Sequence, residues 1–377
     1  MLRNSGRLGQ SIQPSPPMDA IASEMHVPGR PVTTVVSIQY LRALAASLVV
    51  FHHAMAVSSL AAYYPRPFGL VGVDLFFVIS GYIMWRTTAD GNRRPLAFWS
   101  ARLVRIVPIY WIFTTLYILV AIFLPSAVFN AALDPMHIVK SYLFIPAANP
   151  RTGDISPVYT LGWTLNYEIF FYFVFGCCLF IQPTVARFGA IIGSLGLLVL
   201  IGASVSVHGA IATVYTDPIL LEFAAGIVLA QVSSHLARFT APLGWALIGA
   251  AIVWLVVIYG GGAIPGRIVA HGIPAAALVA GGLILETKAR VRPSRLGLLL
   301  GDASYSIYLA HPFALRVWYF AFVALGGMAS LTSGAIFIAT AMAIGIAGGV
   351  ASFLFLERPL LVAGRHWIRQ RTKRPGA

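Results

Sequence analysis

Long apolar stretches separated by short polar ones run from about residue 37 to residue 356. A helix needs about 20 consecutive apolar residues to cross the ~30 Å hydrocarbon core of a bilayer. The stretches that meet this length lie at about 37–58, 71–87, 105–125, 165–183, 189–207, 213–233, 242–259, 269–286, 304–325 and 333–356. The pattern therefore predicts an all-α fold, a polytopic integral membrane protein of about ten transmembrane helices. An even number of crossings places both termini on one side.

Composition agrees with this pattern and excludes other classes. The chain has 377 residues, of which 58% are hydrophobic and 10% charged, where a soluble domain carries roughly 25% charged residues. The formal net charge is +14. In a soluble protein that excess would suggest nucleic acid as a partner. Here it is better explained by basic residues that hold cytoplasmic loops inside, so no nucleic acid is expected and the partner surface is membrane lipid. With the N-terminus cytoplasmic, only Arg66, Lys140, Arg151 and Arg267 fall outside and Arg316 falls within a span; the rest of the 26 Lys and Arg are inside. Both termini are thus predicted to be cytoplasmic. The expected organisation is a cytoplasmic N-terminal tail over 1–36, a membrane domain over 37–360 and a basic cytoplasmic tail over 361–377. The first 35 residues show no cleavable signal pattern, so the first span is expected to act as an uncleaved anchor. The longest loop, 126–164, is too small for a folded enzyme domain, so chemistry is expected in or at the bilayer. Cys177 and Cys178 are the only cysteines; neighbours on a helix point apart, so no bridge is expected between them. No metal-ligand spacing is present, and no metal is expected.

Several spans carry polar side chains that lipid would not tolerate without a purpose. Arg42 and His53, in QYLRALAASLVVFHHAM, are eleven residues apart. Eleven steps of a helix turn about 1100°, about 20° from three full turns, with about 16 Å of rise. The two side chains share a face, with Arg42 at the cytoplasmic edge and His53 near mid-bilayer. His52 points about 80° away, which favours His53 as the functional imidazole, the alternative being a structural histidine. Arg102 and Arg105 stand at i,i+3 spacing just before the third span. Their planar donor forks suit phosphate, and the alternative is a topological anchor pair. In GVDLFFVISGYIMW, Gly72 and Gly81 permit close helix approach, Ser80 lies near the middle, and Asp74 is expected to cap the helix, or else to pair with a base. In TLGWTLNYEIFFYF, Trp163 fits an interfacial belt and Glu168 lies roughly 7 Å deeper, where a carboxylate needs a partner. Tyr305, Tyr308 and His311 recur at spacing three beside a predicted kink at Pro312. Glu357 closes the last span and is read as structural.

Taken in order, these segments resemble the bacterial membrane acyltransferase-3 family over about residues 37–360. The Arg-x10-His element is the most specific sign, supported by GVDLFFVISGYIMW, RLVRIVP, WTLNYE and SYSIYLAHP. The wording IQYLRALAA with FFVISGYIMW looks most like the branch that acetylates rhizobial exopolysaccharides. The resemblance implies a multi-pass protein of the bacterial inner membrane. It implies a cytoplasmic acyl-CoA donor, expected to be acetyl-CoA, and no permanently bound cofactor. The acceptor it implies is a sugar on a polysaccharide, oligosaccharide or lipid-linked intermediate. It points to His53 and Arg42 as essential residues and to Arg102 and Arg105 as donor contacts. Some relatives carry an added C-terminal esterase-like domain, which is not expected here; the doubled His52-His53 departs from the usual single histidine.

The expected arrangement is a basic mouth of Arg42, Arg102 and Arg105 holding the phosphates of coenzyme A, with the thioester near His53. His53 would act as general base or as acyl acceptor. Glu168 would orient the imidazole or hold the acceptor. Ser80 and Tyr305 are candidate oxyanion donors, while Trp163 and His311 are candidate substrate contacts. Rival readings are a transporter or flippase for a glycan precursor, or a structural subunit of an export machine, since intramembrane His, Glu and Arg also mark translocation paths.

Overall fold

The computed structural model describes residues 34–63, 68–89, 94–128, 131–261, 265–288, 290–327 and 330–372. Most of the expected N-terminal tail, Arg66, Arg93 and the last five residues lie outside these. The chain divides into residues 1–35 and 36–377, and the helices belong to the second part.

Each of the ten apolar segments is helical. They are α1 Val36–Ala56, α2 Val71–Thr88, α3 Pro95–Phe123, α5 Trp163–Cys178, α6 Thr184–Ser204, α7 Leu220–Gln231, α8 Ala241–Tyr259, α9 Ile273–Thr287, α11 Ser304–Ala324 and α12 Leu331–Ser352. The shorter α4 Pro135–Tyr142 and α10 Arg295–Asp302 lie between them, and α13 Arg358–Thr372 follows. Among the described residues eight helices are long and apolar enough to cross a membrane. The two segments outside that set are α1, which carries Arg42 and two histidines, and α5, sixteen residues long with Asn166 and Glu168. No strand occurs among the described residues beyond one isolated antiparallel bridge between Ala148 and Ile155.

Three boundaries differ from the sequence reading. α3 starts ten residues early, at Pro95, whose missing N–H costs nothing in a first helical turn, so Arg102 and Arg105 lie inside the helix rather than ahead of it. The sixth span is broken. Ala210–Tyr215 ends before Asp217-Pro218, the Asp217 side chain accepts from the Ile219 amide at 2.8 Å, and α7 begins at Leu220. The last span does not stop at Arg358-Pro359. A π-turn over Phe353–Glu357 accommodates the proline, and the helix continues to Thr372, so most of the segment expected as a tail is helical.

The centre is held by small residues and buried polar ties. A Cβ on Gly81 would lie 2.0 Å from the Phe223 carbonyl oxygen, and one on Gly226 would lie 1.9 Å from that of Val78, so α2 and α7 cross with their backbones touching. The span containing α2 is 78% buried, whereas those at Thr184–Ser204 and Ala241–Tyr259 are 17% buried and line the periphery. α1 packs against α2, α9, α10, α11 and α12. Its N-terminus is fixed by Glu286 of α9, whose carboxylate oxygens accept the amides of Val36 and Ser37 at 2.9 and 2.6 Å. A carboxylate there satisfies orphan donors and complements the helix dipole. That tie sets the height and rotation of α1, and with them the positions of Arg42 and His53.

Candidate active site

Five helices wall a cavity of about 770 Å³, counting the open space at its mouth. α1 supplies Arg42, α3 supplies Arg102 and Arg105, and α2 supplies Ser80 on an apolar face that includes Phe76 and Phe77. α5 adds Thr164, Glu168 and Tyr172, and α11 adds Ser304, Tyr305 and Tyr308. Three guanidiniums therefore face one chamber from two helices.

The positions of these side chains are built locally. Arg42 is buried and donates from Nη1 to Gln39 Oε1 at 3.1 Å, and Gln39 Nε2 donates to Asp302 Oδ1 at 3.0 Å, which ties α1 to the end of α10. Burial raises the Asp302 carboxyl above its ordinary value, while Arg42, Arg105 and the Gln39 bond pull it back. Glu168 accepts from Tyr172 Oη, one turn along α5, and from Ser80 Oγ at 3.4 Å. Arg105 and Arg102 bear on it electrostatically. Arg102 itself lies over the Phe98 ring, 5.8 Å from its centre. The Tyr305 hydroxyl donates to the Ile106 carbonyl at 2.9 Å, and that of Tyr308 donates to Leu161 O at 2.8 Å.

Beyond Tyr308 on the same face of α11 stands His311, fully buried, with ring centres 6.4 Å apart. His311 Nε2 lies 3.2 Å from His53 Nδ1, and the two imidazole centres are 4.9 Å apart. His53 Nδ1 is also 2.9 Å from Val49 O. Arg42 thus lines one cavity with Ser304 and Tyr305 of α11, and His53 lies against His311 of the same helix. This is the common face that eleven residues of helix predict.

Residues 35–354 match the family model described as an acyltransferase domain, the acyltransferase-3 family. The chain belongs to this family. It is also 40% identical over 307 residues to the exopolysaccharide production protein ExoZ of Rhizobium meliloti (strain 1021), an alignment that covers 79% of this chain and 91% of that protein. No solved structure matches the chain.

Of the residues singled out from the sequence of this family member, the cavity gathers Arg42, Arg102, Arg105, Ser80, Glu168 and Tyr305. His53 and His311 are not part of its lining; His311 follows the lining residue Tyr308 by one turn of α11. Three expectations change. Glu168 does not reach His53; its partners are Tyr172 and Ser80, because Thr164, Leu165, Glu168 and Tyr172 fall on the one face of α5 that fronts the arginines. Ser80 and Tyr305, expected as oxyanion donors, already give their protons to Glu168 and Ile106 O. Trp163 falls on a neighbouring face of α5 with Tyr167, outside the cavity. Its ring lies 5.9 Å from the Arg267 guanidinium and edge-on to Tyr167 at 5.9 Å.

Asp74 joins this second cluster rather than capping α2. The helix begins at Val71, the side chain makes no cap bond there, and Asp74 Oδ1 pairs with Arg267 Nη2 at 2.8 Å. Glu222 Oε1 lies 3.6 Å from Arg267 Nε. Burial works against the Arg267 charge, but Asp74, Glu222 and Asp217 outweigh it and hold the guanidinium above its ordinary value. Glu357 is buried and accepts from Ser306 Oγ at 2.6 Å. Sequence reasoning missed Tyr172 and Gln39, although each stands one helical turn from a residue it did select. Asp302 carried no local signal; only the fold brings it to Gln39.

Proposed function

We propose that the protein is a membrane O-acyltransferase that moves an acyl group, acetyl in the simplest case, from cytoplasmic acyl-CoA to a sugar hydroxyl of an exopolysaccharide or another cell-surface glycan. The observation that carries this reading is the alignment of Arg42 and His53 against α11, with Arg102 and Arg105 beside Arg42. Membership of the acyltransferase family and the likeness to ExoZ support it.

In this mechanism Arg42, Arg102 and Arg105 hold the donor's phosphates through planar donor forks. The pantetheine arm extends along the α11 face toward His53, about 16 Å of rise from Arg42. A neutral imidazole removes the hydroxyl proton as the sugar oxygen attacks the thioester carbonyl. The carbon–sulfur bond breaks, coenzyme A leaves as the thiolate, and His53 returns the proton to it. Glu168, fixed by Tyr172 and Ser80, serves to position substrate within the cavity rather than to orient the imidazole.

Purified protein given acetyl-CoA and the bacterium's own polysaccharide is expected to liberate free thiol. His53→Ala abolishes the release, and His52→Ala retains most of it. Full activity in His53→Ala would remove the assigned base. Wild type that releases no thiol yet moves a labelled glycan across vesicles would replace the reaction with transport.

A further inference from the structure

His311 was expected to touch substrate. The hydrogen-bond geometry points to a different task, which rests on the acyltransferase reading: we propose that His311 is a positioning residue that holds His53 with Nδ1 protonated and Nε2 free to act as the base.

The inference follows from which atoms can donate. A carbonyl oxygen only accepts. His311 Nδ1 lies 3.0 Å from Ile307 O, so it carries the proton of that ring, and the neutral ring keeps its lone pair on Nε2. That nitrogen faces His53 Nδ1 at 3.2 Å, while Val49 O faces the same His53 atom at 2.9 Å. His53 Nδ1 therefore meets two acceptors and must be the donor, sharing one N–H between them. Neutral rings are the forms that burial within the bilayer favours. The remaining nitrogen of His53, Nε2, then holds the lone pair. No hydrogen bond to it occurs among the described residues.

The consequence for the reaction is a difference between ground and transition states. When His53 takes the hydroxyl proton, an O–H bond breaks and an Nε2–H bond forms, and the ring becomes an imidazolium. Its Nδ1–H bonds to His311 Nε2 and Val49 O become charge-assisted and stronger. An interaction that strengthens as the proton moves lowers the barrier. The proton later passes from Nε2 to the departing thiolate and the pair returns to its starting state. The logic is that of a nucleophile–base–orienter triad, with a neutral imidazole and a backbone carbonyl in the orienting position.

The test separates an acceptor at the right place from mere packing. In His311→Gln the amide oxygen reaches the place of Nε2; in His311→Asn it falls short; His311→Phe has no acceptor. With acetyl-CoA and polysaccharide as substrates, the Asn and Phe variants are expected to lose roughly 10- to 100-fold in kcat, the worth of one charge-assisted bond. KM for acetyl-CoA should stay within about twofold of wild type, and the Gln variant should recover most of kcat. Equal losses in Gln and Phe, wild-type kcat in all three, or a change confined to KM would overturn the role. A second measurement does not depend on activity. Nitrogen-15 NMR of wild-type protein labelled at histidine should show His53 protonated at Nδ1, bare at Nε2 and coupled through the hydrogen bond to His311 Nε2. A His53 protonated at Nε2 refutes the proposal. Should wild type release no thiol while this NMR pattern holds, the acyltransferase reading fails and the histidine geometry stands.

Discussion

Arg42 illustrates how a single charge is made bearable in a membrane protein. Its side chain is buried, donates to Gln39, and stands within the field of Asp302, Glu357 and Glu168 as well as the like charge of Arg105. Among the described residues no close ion pair seals this guanidinium, and on the proposed donor path it is the group that meets an incoming phosphate. Replacing Arg42 with Ala is therefore expected to raise KM for acetyl-CoA by about 10-fold or more, the worth of one hydrogen bond to a charged group. Michaelis curves at fixed acceptor read this directly; a fall in kcat at unchanged KM would contradict donor anchoring. Arg267 is the opposite case. It is closed against Asp74 at 2.8 Å and Glu222 at 3.6 Å, with Trp163 beside it, and its charge serves the fold.

At the scale of elements, glycine decides which helices can meet. At Gly226 a methyl group would stand 1.9 Å from a backbone oxygen of α2, and no side-chain rotation relieves that. At Gly193 on peripheral α6 nothing lies within 4 Å. Gly226→Ala is expected to cost about 1–3 kcal/mol through forced separation of α2 and α7, while Gly193→Ala is neutral or stabilising by up to about 1 kcal/mol. Thermal unfolding in detergent, followed for both variants against wild type, tests the contrast; equal midpoints would mean that the α2–α7 crossing is looser than described. The same crossing places Phe77 and Ser80 of α2 on the cavity wall, so Gly226→Ala should also lower thiol release.

For the whole molecule, the distribution of Lys and Arg sets orientation. The basic excess on one set of loops predicts that both ends lie in the cytoplasm. A green fluorescent protein fused after Ala377 should fluoresce, and alkaline phosphatase at the same place should be inactive. The reverse pattern would invert the molecule and remove the arginine cavity from the acyl-CoA side. That outcome would be fatal to the proposed donor path whatever the site residues do.

The sequence by itself determined the helical class, the position of each apolar segment and the shared face of Arg42 and His53, because these depend on transfer of side chains to lipid and on the fixed 100° step of a helix. It also marked most of the polar residues that line the cavity, since a polar group in a span needs a reason to be there. Only the tertiary structure decided the partners. Glu168 went to Tyr172 and Ser80, Trp163 to Arg267, and His311 to His53, because rotation of one helix against another is fixed by close packing such as Gly81 on Phe223 and by ties such as Glu286 to the first turn of α1. Those contacts join residues more than 80 positions apart in all but one case, and helical periodicity carries no information about what stands opposite a face.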